Sequence, residues 1–302
     1  MPDSDHLTTR LPMTTLRDWV SGASDELVQA GIERRDATFD VEVLARHALG
    51  WNRAHWLSHL RDELPGAAGH FAALVDPLIE RRSRREPVAQ ITGFREFWGL
   101  DMTVTADVLS PRPETELLVE IALAKLVPRS TPWAIADVGT GSGCLAVALT
   151  RELTQAHVMA TDISPAALAV AARNAKRHGV SDRITFRETR FLDDVPGPYD
   201  LIVSNPPYIP DHERTRLAPE VARYEPAAAL YGGVDGLAPA RALLPAGAAA
   251  LREGGWMVME IGVEQSEMVR RLATQARLTV EDICPDLQGI PRAVVMRLGT
   301  GC

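Results

Sequence analysis

The feature that most constrains this chain is an alternation that begins at Trp133. Short apolar runs at 134–138, 157–161, 184–187, 201–204 and 256–261 read as strands, and amphipathic stretches at 144–153, 165–178 and 240–251 read as helices between them. A further helix at 265–276 and strands at 279–283 and 293–298 complete the series. Strands that alternate with helices predict a parallel, doubly wound α/β sheet. Such a sheet binds ligands beyond the carboxyl ends of its strands, at the point where strand order reverses. The connection between the last two strands is short, so these two are expected to pair antiparallel.

The region before this alternation has a different period. Segments 16–30, 39–49, 53–60 and 71–82 carry apolar residues at helical spacing, with Asp36 and Asn52 as expected N-caps and Gly31 and Gly50 as stops. Trp19, Trp51 and Trp56 are expected to anchor this small bundle. Residues 93–104 read as a β-hairpin around Gly99. Ser110, Pro111, Arg112 and Pro113 form a stiff connector, because proline fixes φ, and a helix is expected over 114–126. The expected division is therefore a helical domain at 1–85, a hairpin linker at 86–112 and the α/β domain at 113–302.

Composition removes several alternatives. The 302 residues include 46% hydrophobic and 24% charged side chains, ordinary for a globular chain. No run approaches the roughly 18 apolar residues that a membrane span needs. The start of the chain is polar and acidic, unlike a signal or transit peptide. Cys144, Cys284 and Cys302 are too few and scattered for a disulfide framework or zinc cluster, and we expect a cytoplasmic protein. A net charge of −8 disfavours holding nucleic acid by phosphate neutralisation.

Three motifs carry chemistry. Asp137-Val138-Gly139-Thr140-Gly141-Ser142-Gly143 leaves a strand and opens a helix. A dinucleotide fingerprint needs G-x-G-x-x-G, and here Cys144 stands at the third glycine of that pattern. No Gly-Lys-Ser/Thr follows, so it is not a P-loop. The loop suits a nucleoside ligand without pyrophosphate, such as S-adenosylmethionine; the plainer reading is a structural turn. Asp162 ends the next strand, where an acidic residue accepts hydrogen bonds from ribose hydroxyls; its plainer reading is a cap on the helix that follows. Asn205-Pro206-Pro207-Tyr208 directly follows the apolar strand at 201–204. The Pro206 carbonyl and the Asn205 side-chain oxygen are two acceptors beside an aromatic ring. They suit a planar group bearing an NH2, either a glutamine carboxamide or an exocyclic base amine. Two acceptors that hold both N–H bonds would shift density toward nitrogen and aim its lone pair, so that positioning and preorganised electrostatics do most of the work. The Tyr208 face would stabilise the developing cation.

These loops together resemble class I methyltransferases that act on amide or amino nitrogen. Pro87-Val88-Ala89-Gln90-Ile91-Thr92-Gly93, Arg95-Glu96-Phe97-Trp98-Gly99 and Pro111-Arg112-Pro113-Glu114-Thr115-Glu116 are similar to segments of the peptide chain release factor glutamine methyltransferases. So are Tyr224-Glu225-Pro226, Gly232-Gly233-Val234-Asp235-Gly236-Leu237 and Asp286-Leu287-Gln288-Gly289-Ile290-Pro291-Arg292. The resemblance covers nearly the whole chain. It implies a Rossmann-like methyltransferase domain, a substrate-docking helical domain, and N5-methylation of the glutamine in the Gly-Gly-Gln loop of bacterial class 1 release factors. S-adenosylmethionine would be the donor. It would be held by Gly139, Thr140, Gly141, Ser142, Gly143, Asp162 and Asn205. Asn205, Pro206, Pro207 and Tyr208 would clamp the substrate, with Asn205, Pro206 and Tyr208 catalytic. The family's acidic and adenine-facing positions after the third strand fall on Thr189 and Arg190. Arg190 would stack on adenine through its guanidinium, or Glu188 or Phe191 would serve after a one-residue shift.

Other residues admit two readings. Phe97 and Trp98 either wall the active site or pack the hairpin. Arg112 and Glu114 either close over the cofactor or form a surface ion pair. The arginines at 81–85 either dock a partner or end a solvated helix. Cys144 reads as packing and His212 as solvated. The rival functions are a ribosomal-protein glutamine methyltransferase, a DNA adenine-N6 methyltransferase acting on a flipped base, and a silent cofactor-binding protein. The glycine spacing disfavours an NAD-dependent oxidoreductase. No metal, membrane or direct nucleic-acid partner is expected.

Overall fold

The computed structural model describes residues 15–66 and 68–299. The polar start of the chain and Cys302 lie outside the described residues. The described residues fall into two compact units, divided between Thr92 and Gly93.

The first unit is helical: α1 (Leu16–Gln29), α2 (Arg34–Leu49), α3 (Arg53–Ser58), α4 (Ala68–Ser83) and the short α5 (Val88–Thr92). Trp19, Leu27, Val41, Leu44, Trp56 and Phe71 form its core, with Trp51 partly buried at the edge. Trp19 meets Phe71 edge to face at 4.8 Å. Asn52 caps α3 by accepting from the His55 amide at 2.8 Å, and Gly50 ends α2 at φ +65°. Asp36 is not a cap. Helix α2 begins five residues before the expected start, with Glu33 at the N-cap and Asp36 inside the first turn, where its charge still opposes the helix dipole. The polar run Arg34-Arg35-Asp36 hides this start from a reading of apolar period. Asn52→Ala is expected to cost about 1 kcal/mol, measured by urea unfolding.

The arginines at 81–85 are committed within this unit. Arg82 pairs with buried Asp40 at 2.7 Å, Arg81 with Glu86 at 2.5 Å, and Arg84 with Glu80. Arg85 donates to the Gly31 carbonyl at 2.5 Å. The run ties down a helix end rather than presenting a free basic patch.

The second unit opens with a hairpin, β1 (Phe94–Phe97) and β2 (Leu100–Thr103), followed by a 3-10 turn (Pro113–Thr115) and α6 (Glu116–Lys125). The expected helix start at Glu114 is thus a tighter turn that places Thr115. Then come β3 (Ala134–Val138), α7 (Cys144–Glu152), β4 (His157–Asp162), α8 (Pro165–Arg177), β5 (Ile184–Glu188) and β6 (Tyr199–Ser204). The long gap after β6 contains α9 (Pro219–Tyr224) and α10 (Ala227–Leu230), and α11 (Ala238–Ala250), β7 (Leu251–Glu260), α12 (Ser266–Gln275), β8 (Leu278–Pro285) and β9 (Pro291–Leu298) finish the chain.

Sheet order is β5-β4-β3-β6-β7-β9-β8. The first five strands are parallel, and β9 pairs antiparallel with both β7 and β8. Alternate side chains serve opposite faces. Ile135, Leu201, Val203 and Val258 pack toward α6 and α7; Ala136, Ile202, Met257 and Met259 pack toward α11 and α12. With both faces covered, every residue of β6 is buried, as a central parallel strand requires. The hairpin is bolted to this body by Asn174 of α8. Its side chain accepts from the Thr103 amide at 2.7 Å and donates to the Thr103 and Ser142 carbonyls. Among the described residues no helix is long and apolar enough to cross a membrane.

Candidate active site

Strand order reverses between β3 and β6, and the loops after β3, β4 and β6 converge there. They open onto a cavity of about 370 Å³. Gly139, Thr140, Gly141, Ser142, Asp162, Arg190 and Asn205 all line it, as do Pro207, Thr189 and Phe191.

The loop after β3 is held from beneath. The Gly139 and Thr140 amides both donate to the Thr161 carbonyl at 2.8 Å. Asp137 Oδ2 accepts from Thr140 Oγ1 at 2.6 Å and from the Ala146 amide at 3.0 Å. Burial pushes the Asp137 carboxyl up to about 6. The glycines divide the labour. A Cβ on Gly143 would lie 2.9 Å from the Ala171 Cβ, and its φ is +79°, so Gly143 serves the contact of α7 with α8 and does not line the cavity. A Cβ on Gly139 or Gly141 would meet nothing within 4 Å, which leaves room for a ligand against bare backbone.

Asp162 accepts from the Gly141 amide and the Ser164 amide, each at 2.9 Å. It does not cap α8: Ser164 does, accepting from Ala167. The carboxylate faces the cavity, and its remaining lone pairs suit a pair of hydroxyls. After β5, Thr189, Arg190 and Phe191 line the cavity, and Glu188 is still paired in the strand, opposite Asp162. The Arg190 guanidinium lies 5.4 Å from the Phe191 ring centroid. Phe191 has φ +54°, unusual for a bulky residue, and its carbonyl accepts from Thr161 Oγ1 at 2.8 Å.

Asn205 follows β6 directly. Its Nδ2 donates to Thr115 Oγ1 at 3.0 Å; Thr115 Oγ1 donates to Glu260 Oε2 at 2.7 Å; and Tyr208 Oη donates to Glu260 Oε1 at 3.2 Å. Burial is the main cause that pushes Glu260 up to about 7 and also raises the Tyr208 phenol. Tyr208 and Pro206 do not line the cavity. The Tyr208 ring packs beside Gly262, and its carbonyl accepts from Gln265 Nε2 at 3.0 Å. Sequence reasoning missed Thr115 and Glu260 as partners of the motif, which lies far from both in the chain; Thr115 enters only within the segment Pro111 to Glu116, and Glu260 is a lone polar residue after an apolar run.

The opposite wall comes from Val108, Leu109, Pro111 and Arg112 on one side and Pro226, Ala228 and Ala229 on the other. Arg112 joins them, because its Nη2 lies 2.6 Å from Oε2 of buried Glu225. Burial raises the Glu225 carboxyl, against the pull of Arg112. Arg112 therefore both faces the cavity and pairs, whereas Glu114 does not line it. Phe97 is core and Trp98 donates from Nε1 to Glu152, so neither walls the cavity. Cys144 touches the cavity, but desolvation pushes its thiol up to about 12, leaving it neutral and unreactive. His212 is exposed. Among the described residues no three His, Cys, Asp or Glu side chains are grouped to hold a metal.

Residues 18–93 match the PrmC N-terminal domain model, and residues 114–224 match the Methyltransferase small domain model. A release factor glutamine methyltransferase of Cereibacter sphaeroides is 45% identical over 281 residues, covering 93% of this chain and 98% of that protein. One from Geobacter sulfurreducens is 40% identical over 297 residues, covering 97% and 100%. A solved methyltransferase from Pyrococcus furiosus shares the fold, with a TM-score of 0.51 at 17% identity over 73% of this chain and 99% of that one. With such identity along nearly its whole length, the chain belongs to the release factor glutamine methyltransferase family.

Proposed function

We infer that this chain methylates the side-chain amide nitrogen, N5, of the glutamine in the Gly-Gly-Gln motif of bacterial class 1 release factors, with S-adenosylmethionine as donor. The observation that carries the reading is the convergence on one cavity of a bare glycine loop, the Asp162 carboxylate and the Asn205 amide. When bound, the donor supplies a methyl group on a positively charged sulfur. Gly139 and Gly141 leave space for it, and Asp162 offers oxygens to its ribose. Phe191, Arg190 and the exposed Ile163 line the cavity where its base would rest.

The chain itself does the positioning. A carboxamide nitrogen is a weak nucleophile because its lone pair is delocalised into the carbonyl. Asn205 Oδ1 is assigned one of its N–H bonds at the cavity wall, and the Pro206 carbonyl, which stands outside the residues that line the cavity, is assigned the other; together they would fix the plane of the amide and aim its nitrogen at the donor. Pro206 and Pro207 stiffen the turn that holds both acceptors. No strong base is needed before attack, because the extra proton leaves afterwards to water. The N-terminal helical domain is assigned to docking the substrate protein, and its match to the family's own N-terminal model supports this. We place the enzyme in the cytoplasm with its substrate.

The test is direct. Purified release factor, donor and enzyme are incubated, and the Gly-Gly-Gln peptide is read by mass spectrometry. A gain of one methylene on glutamine is expected; an unmodified glutamine, or methylated adenine in a DNA control, refutes the reading. Asp162→Ala is expected to weaken donor binding by roughly 10- to 100-fold, the loss of charge-assisted bonds to hydroxyls. Unchanged affinity by calorimetry removes Asp162 from the site.

A further inference from the structure

An asparagine side chain presents an acceptor on one side and two donors on the other, and the two ends are nearly the same shape. For the proposed reaction only one orientation works: the oxygen must face the substrate N–H. Nothing within Asn205-Pro206-Pro207-Tyr208 enforces that choice. The neighbours do. Thr115 has a single hydroxyl hydrogen, and it lies on the line to Glu260 Oε2 at 2.7 Å. Thr115 Oγ1 can then only accept from Asn205, which puts Nδ2 against it at 3.0 Å and leaves Oδ1 for the cavity. Glu260 is 2% exposed and its other oxygen accepts from Tyr208 Oη. The chain of bonds therefore has a direction, and the carboxylate at its end sets it.

Resting on the proposed carboxamide acceptor, we propose that Thr115 and Glu260 are positioning residues that fix the polarity of Asn205, so that its oxygen and not its NH2 meets the substrate. An ionised carboxylate has acceptors only, so it draws the Thr115 hydrogen toward itself. A protonated one can donate to Thr115, which frees the hydroxyl hydrogen to bind the Asn205 oxygen and turns the amide round. The groups that face Glu260 are Thr115 and Glu114 from the turn before α6, Arg292 from β9, Tyr208 from the clamp, and the neutral Cys144 thiol of α7. Burial and the Glu114 charge favour protonation; Arg292 and the bonds from Thr115 and Tyr208 oppose it, and the carboxyl settles at about 7. Asn205 is thus held correctly above that value and loosened below it.

The experiment has a catalytic arm and a structural arm, both on the full chain. In the first, Glu260→Gln and Thr115→Val each lower kcat about 10- to 100-fold, the scale of an outer partner that orients a reacting group, while KM for the release factor and donor affinity hold. Thr115→Ser, which keeps the hydroxyl, restores most of the turnover. The wild-type kcat falls on the acid side with a limb near pH 7, and Glu260→Gln lacks that limb. In the second arm, the Asn205 side-chain NH2 resonances of 15N-labelled protein shift with pH on the same limb, and stay still in Glu260→Gln. Well-dispersed spectra show that each variant is folded. Wild-type kcat in Thr115→Val, or NH2 resonances of Asn205 that ignore both substitutions, overturns the proposal. If the wild type fails to methylate release factor, the functional reading falls, and the resonance arm alone decides the polarity lock.

Discussion

Replacing Asn205 with alanine is expected to lower kcat on the order of 10²- to 10³-fold, the cost of removing one preorganised polar contact from a reacting group. Donor binding should survive, because the donor is proposed to rest on the glycine loop and Asp162, whose bonds run to the Gly141 and Ser164 amides and not to Asn205. The fold should survive too. Asn205 is only half-buried, and the Thr115 hydroxyl left behind keeps its bond to Glu260. Single-turnover kinetics at saturating donor, with calorimetry for donor affinity, separate the two effects. Turnover near that of the wild type would show that the amide does not hold the reacting nitrogen, and the mechanism would then have to be rebuilt around the Pro206 carbonyl.

Gly236→Ala is expected to be the most damaging single methyl in the second unit. The added Cβ would lie 2.1 Å from the Tyr208 carbonyl oxygen and 2.7 Å from Gln265 Nε2, at a φ of +74°. Main-chain oxygen cannot swing away as a side-chain tip can. Relief requires moving the Asn205–Tyr208 turn itself, and it breaks the Gln265 bond that anchors Tyr208. Strain and overpacking together are expected to cost about 2 to 4 kcal/mol of stability. A displacement of the clamp by about 1 Å is expected to lower kcat about 10²-fold besides. Gly179→Ala is the control: its φ of +69° is equally unfavourable, but its Cβ would meet nothing within 4 Å. It should lose only about 1 to 2 kcal/mol, the penalty of the left-handed backbone, and keep its turnover. Equal losses from the two glycines, in denaturant melts and kcat, would show that the close approach to Tyr208 carries no functional load.

The two substitutions probe different levels of legibility. Asn205 stands out in the sequence, since an asparagine before two prolines and a tyrosine, directly after an apolar strand, has few uses. Gly236 is one of 22 glycines; its segment resembles the family's, but only the packing against Tyr208 shows what its missing side chain makes room for. The expected N-caps show the same divide on a smaller scale. Asn52 caps α3 because its neighbours decide the matter locally. Asp36 does not cap α2 because burial of Ala37 and Val41 against the rest of the bundle extends that helix back to Arg34.

The sequence by itself determined the period of the longer helices and of the sheet strands, the strand-to-helix alternation that builds a doubly wound sheet, and the turns proposed to carry its chemistry. Those are short-range properties, set by which side chains face which way and where glycine and proline bend or stiffen the backbone. Only the tertiary structure decided how the Asn205 amide is wired. Asn205 and Thr115 are separated by 90 positions, Thr115 and Glu260 by 145, and Arg112 and Glu225 by 113. Burial of Thr115, Glu225 and Glu260 makes a partner for each obligatory, because a polar group removed from water must find its partner inside the protein, and no local pattern along the chain records which partner that is.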